Sequence, residues 1–341
     1  MVMVSTSEWS RFQQPGTPGR RTFVAIRTIA WLLPLVFFSS TATAQSPTSQ
    51  RYWITFRDRG DAARFDVASV NARNLGISER ALWRRAKVLP PDRLINELDL
   101  PVPQSYIDAI RSAGASIRST SRWFNAVSAE LSPDQRSVAE SLPFVASIQR
   151  VAVLRKNRPH YSPELAQAPS QKRRLTASLD YGPSLIQLSN IKVVDAHNRG
   201  INGSGVIVGM IDDGFNYHNT HPALRNIKVL AEYDFIQRDS STSRAPGEYA
   251  SQGGHGAATL SAIAGFDNGK LIGASYGASF ILAKTEIDSV EIRLEEDLYV
   301  EALEWMERLG ADVVSTSLGY IDWYTYSNLD GKTATTSKAA R

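Results

Sequence analysis

The sequence predicts two folded parts in series, a small α+β part followed by an α/β part built on a doubly wound parallel sheet. In the second part, continuous apolar runs typical of buried parallel strands alternate with helical patterns. In the first part, strands and helices follow in the order β-α-β-β-α-β. The charge balance also reverses: residues 45–180 (the N-terminal half) hold 21 Lys and Arg against 13 Asp and Glu, whereas residues 181–341 (the C-terminal half) hold 13 against 20.

Composition excludes several classes of protein. Apolar residues make up 43% of the 341-residue chain and charged residues 21%, which is typical of a globular protein and excludes a disordered or collagen-like chain. Because the chain has no cysteine, disulfides, thiolate zinc sites, iron–sulfur clusters and a cysteine nucleophile are excluded as well. Stability therefore has to come from packing.

A leader precedes both halves. Arginines, an apolar run over residues 29–38 and the small residues of Ala42-Thr43-Ala44 are the parts of a secretory signal peptide. The apolar run is far shorter than the ~20 residues that cross a bilayer, so we expect cleavage before Gln45, with an uncleaved membrane anchor as the alternative. Export without any disulfide favours a bacterial protein that is secreted or periplasmic.

The N-terminal half is predicted to be a ferredoxin-like α+β domain. Its signals include Ser132 and Pro133, which are typical of a helix start, and Gly114, which is typical of a helix end. The helix before Gly114 is predicted to begin at a cap on Ser105. Strands are predicted at residues 51–56, 115–120, 124–131 and 144–151, and helices at 105–111 and 132–143, with an additional helix at 78–87.

Residues 156–180 are predicted to be a linker, because they contain three prolines and a basic triplet but little apolar periodicity. The opposite charges of the two halves favour docking of one on the other. A solvated basic surface is the alternative interpretation. A nucleic-acid site is disfavoured, because the arginines alternate with apolar residues and do not form a stripe.

The C-terminal half opens with a strand predicted over residues 206–211, whose carboxyl end carries Asp212. Functional groups gather at that end of the strands in open parallel sheets, so Asp212 is a candidate catalytic residue. The glycines here precede the strand, which excludes a dinucleotide-binding loop. A helix follows Gly254, with His255 in its first turn, where an imidazole held by a carboxylate transfers protons. Further elements are predicted as a strand over residues 278–283, a helix over 294–309 and a strand over 312–319.

The order of these landmarks resembles that of the subtilisin-like serine peptidases (peptidase S8 family). The resemblance is carried by residues 205–214 (GVIVGMIDDG), 221–224 (HPAL), 255–256 (HG), 273–279 (GASYGAS) and 317–319 (SLG). Each string alone is a weak signal, whereas the set in this order is specific. The N-terminal half resembles the inhibitory propeptides of the same family, at residues 78–82 (SERAL) and 122–128 (RWFNAVS).

The resemblance implies a secreted serine endopeptidase that works by acyl transfer with an Asp/His/Ser triad. Asp212 would orient His255, which would act as general base and then as general acid. Ser317, Leu318 and Gly319 would line a cleft in which an extended peptide substrate adds alongside a strand. The implied partners are a protein or peptide substrate and the chain's own docked propeptide; no nucleic acid, no membrane after signal removal and no cofactor are implied. Family members often bind calcium, but no ligand set here identifies a metal site.

The resemblance also implies domain boundaries. They are a signal peptide over residues 1–44, a propeptide-like domain over 45–155, the linker over 156–180, and the N-terminal part of a subtilisin-like catalytic domain, with a partial doubly wound sheet, over 181–341.

The sequence departs from the family pattern in three ways. Asp213 replaces a small residue, and Ala257 and Ala258 replace the polar residues that usually follow the catalytic His-Gly. The chain contains neither the oxyanion string Ala-Gly-Asn nor the nucleophile string Gly-Thr-Ser-x-Ala. Residues 335–339 (TTSKA) imitate the latter only superficially, so Ser337 is predicted to lie at a helix start and not to act as a nucleophile. We therefore expect an N-terminal portion of a peptidase, inactive as written.

Other interpretations stay open. A catalytically dead relative would serve as a secreted binding module, and a nucleic-acid binder would show salt-sensitive affinity for DNA. His218 and His221, near the two aspartates, suggest a metal site, although a turn of the family type is the favoured interpretation. The acidic residues between 291 and 307 are predicted to form the solvated face of the 294–309 helix.

Overall fold

The computed structural model describes residues 49–60, 71–151, 179–289, 294–320, 327 and 334–339. The predicted signal peptide and nearly all of the predicted linker lie outside these ranges. Within them, no helix combines the length and the apolar character that crossing a membrane requires.

The N-terminal half is built on a four-stranded antiparallel sheet. Its elements are β1 (Gln50–Phe56), α1 (Glu79–Arg85), α2 (Gln104–Ser112), β2 (Ser116–Ser121), β3 (Ala126–Leu131), α3 (Pro133–Glu140) and β4 (Val145–Arg150), with 3-10 helices at Ala72–Leu75, Pro91–Arg93 and Glu97–Asp99. The strand order is β2-β3-β1-β4, with β1 antiparallel to both neighbours. This is the predicted α+β arrangement, with α1 as the additional helix.

The sequence predicts the cap of one of these helices correctly and that of another wrongly. The hydroxyl of Ser132 accepts a hydrogen bond from the backbone N–H of Gln135, whose side chain accepts one from the N–H of Ser132, so the predicted cap of α3 is confirmed. The predicted Ser105 cap of α2 is wrong. That helix begins at Gln104, because the carbonyl of Pro103 already accepts from the backbone N–H groups of Tyr106 and Ile107.

The C-terminal half contains a four-stranded parallel sheet with helices on both faces. Its elements are a 3-10 helix (Gly182–Ser184), α4 (Leu185–Asn190), α5 (Val193–Asn198), β5 (Ile207–Asp212), β6 (Lys228–Asp234), α6 (Gly254–Ala264), the short hairpin β7 (Phe266–Asp267) and β8 (Leu271–Ile272), β9 (Ser279–Lys284), α7 (Leu294–Leu309), β10 (Val313–Thr316) and α8 (Thr335–Ala339). The parallel strand order is β10-β5-β9-β6.

Alternation along β5 distributes its side chains between the two faces of this sheet. Ile211 packs into the cluster that contains α7, whereas Met210 packs into the cluster that contains α6. The predicted doubly wound parallel sheet is thereby confirmed. The strand β6 was not predicted, because polar residues interrupt its apolar pattern; it is an edge strand, with one side free of pairing in the sheet.

Four acidic residues of α7 are buried, which corrects the prediction of a solvated face; Glu301 and Glu307 are half-buried, and Glu291 lies outside the described residues. Glu295, Glu296, Asp297 and Glu304 are each less than 5% exposed. The helix packs against the parallel sheet on one side and against the N-terminal half on the other. From that half, the Ser121 hydroxyl and the backbone N–H groups of residues 122 and 123 donate to the carboxylate of Glu304. Sequence periodicity alone does not show what covers these residues.

Ion pairs join α1 to the carboxyl end of α7. Arg85 contacts Glu307 of α7 and Asp99 of its own half, and Arg84 contacts Glu307 as well. Arg80 contacts Asp312 just before β10. The predicted attraction between the basic half and the acidic half is therefore made of specific contacts between charged residues.

Asp297 gives this interface a pH dependence. It is buried in α7, where the Ser128 hydroxyl of β3 donates to its carboxylate. Burial raises the pKa of Asp297 to about 7, although the Ser128 hydrogen bond and the charge of Arg51 in β1 act in the opposite direction. Because this pKa lies above the ordinary 3.8, the folded chain takes up a proton that the unfolded chain does not hold between these two pH values. The contribution of Asp297 to the free energy of unfolding is therefore fully present below pH 3.8, and it is lost as the pH rises through about 7.

The Asp297→Asn variant should therefore unfold at a higher temperature than the wild type at pH 8, and the difference should shrink toward zero near pH 4. Thermal denaturation followed by circular dichroism at several pH values measures it. Asp92→Asn, at an exposed position, is the matched control and should change the midpoint little at any pH. A stabilisation that grew as the pH fell would contradict the prediction.

Candidate active site

Asp212 is the last residue of β5 and is 1% exposed. Its strand lies between β10 and β9 in the sheet, so its carboxyl end opens where connections leave the sheet on both faces. Oδ1 of Asp212 accepts a hydrogen bond of 2.8 Å from the backbone N–H of Asp213. The buried carboxylate is thus held at the position that the sequence predicts.

His255 is brought to Asp212 by the start of α6. The turn before the helix places Gly253 at φ 77°, in the left-handed region that favours glycine. Gly256 then lies so close to β5 that a Cβ atom there would be 2.0 Å from the carbonyl oxygen of Gly214. In this position the Nδ1–H of His255 donates to Oδ1 of Asp212 at 2.7 Å.

The electrostatics of the pair suit proton transfer. The hydrogen bond to Asp212 raises the pKa of His255 to about 8, burial acts in the opposite direction, and the charges of Asp212, Asp213 and Glu286 raise it further. With Nδ1 engaged, Nε2 is the remaining nitrogen. The side chain of His255 is 53% exposed, so a proton can be exchanged there.

Asp213 is also buried, and it differs in role from Asp212. Its Oδ1 accepts from the backbone N–H of Gly256 at 2.8 Å. Burial raises the pKa of Asp213 to about 7, the Gly256 hydrogen bond opposes this, and the charges of Asp212 and Glu286 add to the rise. This carboxyl group therefore ties the start of α6 to the end of β5.

Ligand-type atoms of Asp212, Asp213 and His255 lie within 4.8 Å of one another, as metal ligands would. A metal taking the Nδ1 atom of His255 would first have to break its hydrogen bond with Asp212. The alternative metal site at His218 and His221 stays a prediction, and the structure places Nε2 of His218 at 3.5 Å from a carboxylate oxygen of Glu232. The buried His218 donates from Nδ1 to the carbonyl of Phe215 at 2.7 Å.

A cleft opens in front of His255. The residues that line it are Asp213, His255, Glu286, Asp288, Ser317, Leu318 and Gly319. The structure therefore brings all three predicted substrate residues to the same cleft as the Asp–His pair. The prediction placed these three residues in the strand itself. In the structure β10 ends at Thr316, and they follow it.

Three polar residues of this region were missed by sequence reasoning. Glu286 and Asp288 come just after β9, and the topological rule that identified Asp212 would have found them once that strand was placed. The hydroxyl of Thr259 donates to Asp212. Thr259 follows His255 by four residues, and this spacing could have shown that the two side chains share a helix face. Ser337 lies within α8, as the sequence predicts.

Two family models match the chain. The family model described as "Peptidase S8 propeptide domain, Bacteroidota" matches residues 51–166, and the model described as "Subtilase family" matches residues 203–340. Among curated proteins, an alkaline protease of Alkalihalobacillus alcalophilus is 24% identical over 301 residues, which are 86% of this chain and 60% of that protein. Subtilisin BL of Lederbergia lenta is 31% identical over 139 residues, 39% of this chain and 44% of that protein.

Among solved structures, fervidolysin from Fervidobacterium pennivorans, described as a keratinolytic enzyme related to subtilisin, matches with a TM-score of 0.49 and 15% identity, over 86% of this chain and 38% of that one. The chain thus spans at most about 60% of the length of these relatives. The two matched family models together take in more than half of the sequence, in the order propeptide and then peptidase. Residues 203–340 therefore match the subtilase family, and they are preceded by a match to the S8 propeptide domain over residues 51–166.

Proposed function

We propose that this chain is the N-terminal portion of a secreted bacterial serine endopeptidase, and that Asp212 and His255 are its acid–base pair. The observation that supports the proposal is the 2.7 Å hydrogen bond between Nδ1 of His255 and Oδ1 of Asp212 at the rim of the cleft. These two residues are 43 positions apart in sequence. An imidazole that a buried carboxylate holds by its Nδ1 atom keeps Nε2 available for general acid–base catalysis.

In the proposed mechanism, Nε2 of His255 takes the proton of a serine hydroxyl as that oxygen attacks the peptide carbonyl carbon. The imidazolium then gives this proton to the leaving amine, and water repeats the cycle to release the acyl group. Asp212 holds the imidazole in the tautomer with hydrogen on Nδ1 and stabilises its positive charge. No cofactor enters these steps.

Residues 317–319 are proposed to bind the substrate. They follow β10 directly and line the cleft, where an extended peptide would add through main-chain hydrogen bonds. The N-terminal half is proposed to be the inhibitory propeptide, held on α7 by the contacts of Glu304, Glu307 and Asp297. Signal cleavage before Gln45 is proposed from the leader pattern of the sequence, and calcium binding is implied by the family resemblance alone.

The nucleophile is proposed to lie outside residues 1–341, because these contain no Gly-Thr-Ser-x-Ala string. Residues 45–341 should therefore neither hydrolyse casein nor react with a serine-directed fluorophosphonate. The same chain, extended through its reading frame to the natural stop codon, should do both. In the extended chain, His255→Ala should lower turnover by at least about 10⁴-fold.

The control is His221→Ala, which removes an exposed histidine that does not line the cleft. It should leave turnover within about twofold of the wild type. If the fluorophosphonate labelled Ser337 in residues 45–341, the proposal that the nucleophile lies outside these residues would be wrong. A stop codon directly after codon 341 would favour the alternative function, a catalytically dead binding module.

A further inference from the structure

Asp212 has a second side-chain partner besides His255. The hydroxyl of Thr259 lies 3.0 Å from Oδ2 of Asp212, whereas Oδ1 accepts from His255. Asp212 is 1% exposed, so bulk water cannot substitute for a lost donor. The two oxygens of one buried carboxylate are therefore held by two side chains of the same helix.

Helix geometry explains why both side chains reach the same group. Thr259 follows His255 by four residues in α6, so the two side chains project from one face, one turn apart. A carboxylate that is held at one oxygen can rotate about its Cβ–Cγ bond. A second hydrogen bond to the other oxygen fixes the plane of the group, and with it the direction in which Oδ1 meets the imidazole.

We propose that Thr259 is a positioning residue, which fixes the carboxylate plane of Asp212 so that its Oδ1 stays aligned with Nδ1 of His255. This inference rests on the proposed function of the Asp212–His255 pair and deepens it. Thr259 touches neither the substrate cleft nor the transferred proton, so it acts through Asp212 and not as a catalytic residue.

A competing arrangement exists for the same hydroxyl. Oγ1 of Thr259 is also 3.0 Å from the carbonyl oxygen of Gly256, one turn back in the helix. A threonine hydroxyl has one hydrogen and donates to one acceptor at a time. A carboxylate is the stronger acceptor, which favours Asp212. A hydroxyl that bonded only to Gly256 would be structural, and its removal would leave the titration of His255 unchanged.

The test is an NMR titration of the His255 imidazole in the full 341-residue chain. In Thr259→Val, which keeps the shape but removes the donor, the pKa of His255 should fall from about 8 by about 0.5 or more, because the bond that raises it loses alignment. The Nδ1–H resonance should broaden as it exchanges faster with solvent. Thr259→Ser, which keeps the hydroxyl, should retain both properties of the wild type.

Two controls keep the outcomes separate. Ser261→Ala removes a hydroxyl of the same helix that bonds to the carbonyl of Ala258 and should change nothing. Asp212→Asn should lower the pKa of His255 further than Thr259→Val does. If Asp212→Asn has no effect, the proposed function fails. If Asp212→Asn lowers the pKa and Thr259→Val does not, only the role of Thr259 is overturned; Thr259→Ala supplies the same comparison should the valine variant not fold.

Discussion

Replacing Gly256 with alanine is expected to separate Asp212 from His255 and to destabilise the fold. The new Cβ would lie 2.0 Å from the carbonyl oxygen of Gly214 and 2.9 Å from Cβ of Asp212. Neither neighbour can move freely, since one is backbone and the other belongs to the central strand β5. Helix α6 would therefore have to shift away from the sheet, which lengthens the hydrogen bond between His255 and Asp212.

Two measurements follow for Gly256→Ala. The free energy of unfolding should fall by about 3 kcal/mol or more, at the upper end of overpacking costs. The pKa of His255 should fall from about 8 toward its ordinary 6.5, because the bond to Asp212 is the main cause of its elevation. Chemical denaturation and NMR titration measure the two effects.

Gly254 provides the matched control, two residues away in the same helix. A Cβ at that position would meet no atom within 4 Å. Gly254→Ala should therefore leave the titration of His255 unchanged and should not reduce stability. The account of this close approach would be wrong if Gly256→Ala kept the stability and the His255 titration of the wild type.

Replacing Arg85 with alanine should have the largest effect at the contact between the halves. The guanidinium of Arg85 is buried and donates to both oxygens of Asp99 at 2.7 and 2.8 Å, to both oxygens of Glu307 at 2.6 and 2.9 Å, and to the carbonyl of Leu94 at 2.6 Å. Burial lowers its pKa, but the hydrogen bonds and charges of Glu307 and Asp99 outweigh this, and the pKa is raised.

Truncation at this position leaves the carboxylate of Asp99, which is 4% exposed, without its cation. Breaking a buried ion pair by removing one partner costs about 3–5 kcal/mol. The midpoint of thermal unfolding of Arg85→Ala should accordingly fall by on the order of 10 °C. Differential scanning calorimetry measures it.

Arg73→Ala is the control, because Arg73 pairs with Glu79 in an exposed bridge whose side chains are 79% and 82% accessible. An exposed pair is worth about 0–1 kcal/mol. Its midpoint should stay close to that of the wild type. Equal losses in the two variants would show that burial of Arg85 does not set the cost.

Much of the candidate site is readable from sequence, because its chemistry coincides with local patterns. The apolar run that ends at Asp212 identifies a buried parallel strand and the edge at which it ends. Small residues around His255 identify a helix that can approach that strand closely. The meeting of the two side chains follows from topology, since consecutive parallel strands expose their carboxyl ends at one edge.

Other features depended on partners that are distant in sequence. The acidic face of α7 has the same helical spacing whether water or a second sheet covers it, so its burial under the N-terminal half could not be derived from periodicity. The carboxylates of Glu286 and Asp288 enter the cleft only because β9 lies beside β5 in the sheet.

The amino-acid sequence by itself predicted the fold classes of the two halves, the family resemblance and the proposed Asp212–His255 pair, because each of these depends on short-range periodicity and on the order of motifs. Only the tertiary structure decided which carboxyl groups are buried, which hydroxyl holds the second oxygen of Asp212, and which arginine bridges the halves. Desolvation and hydrogen-bond geometry are set by atoms that packing brings together from remote positions, and no local pattern encodes them.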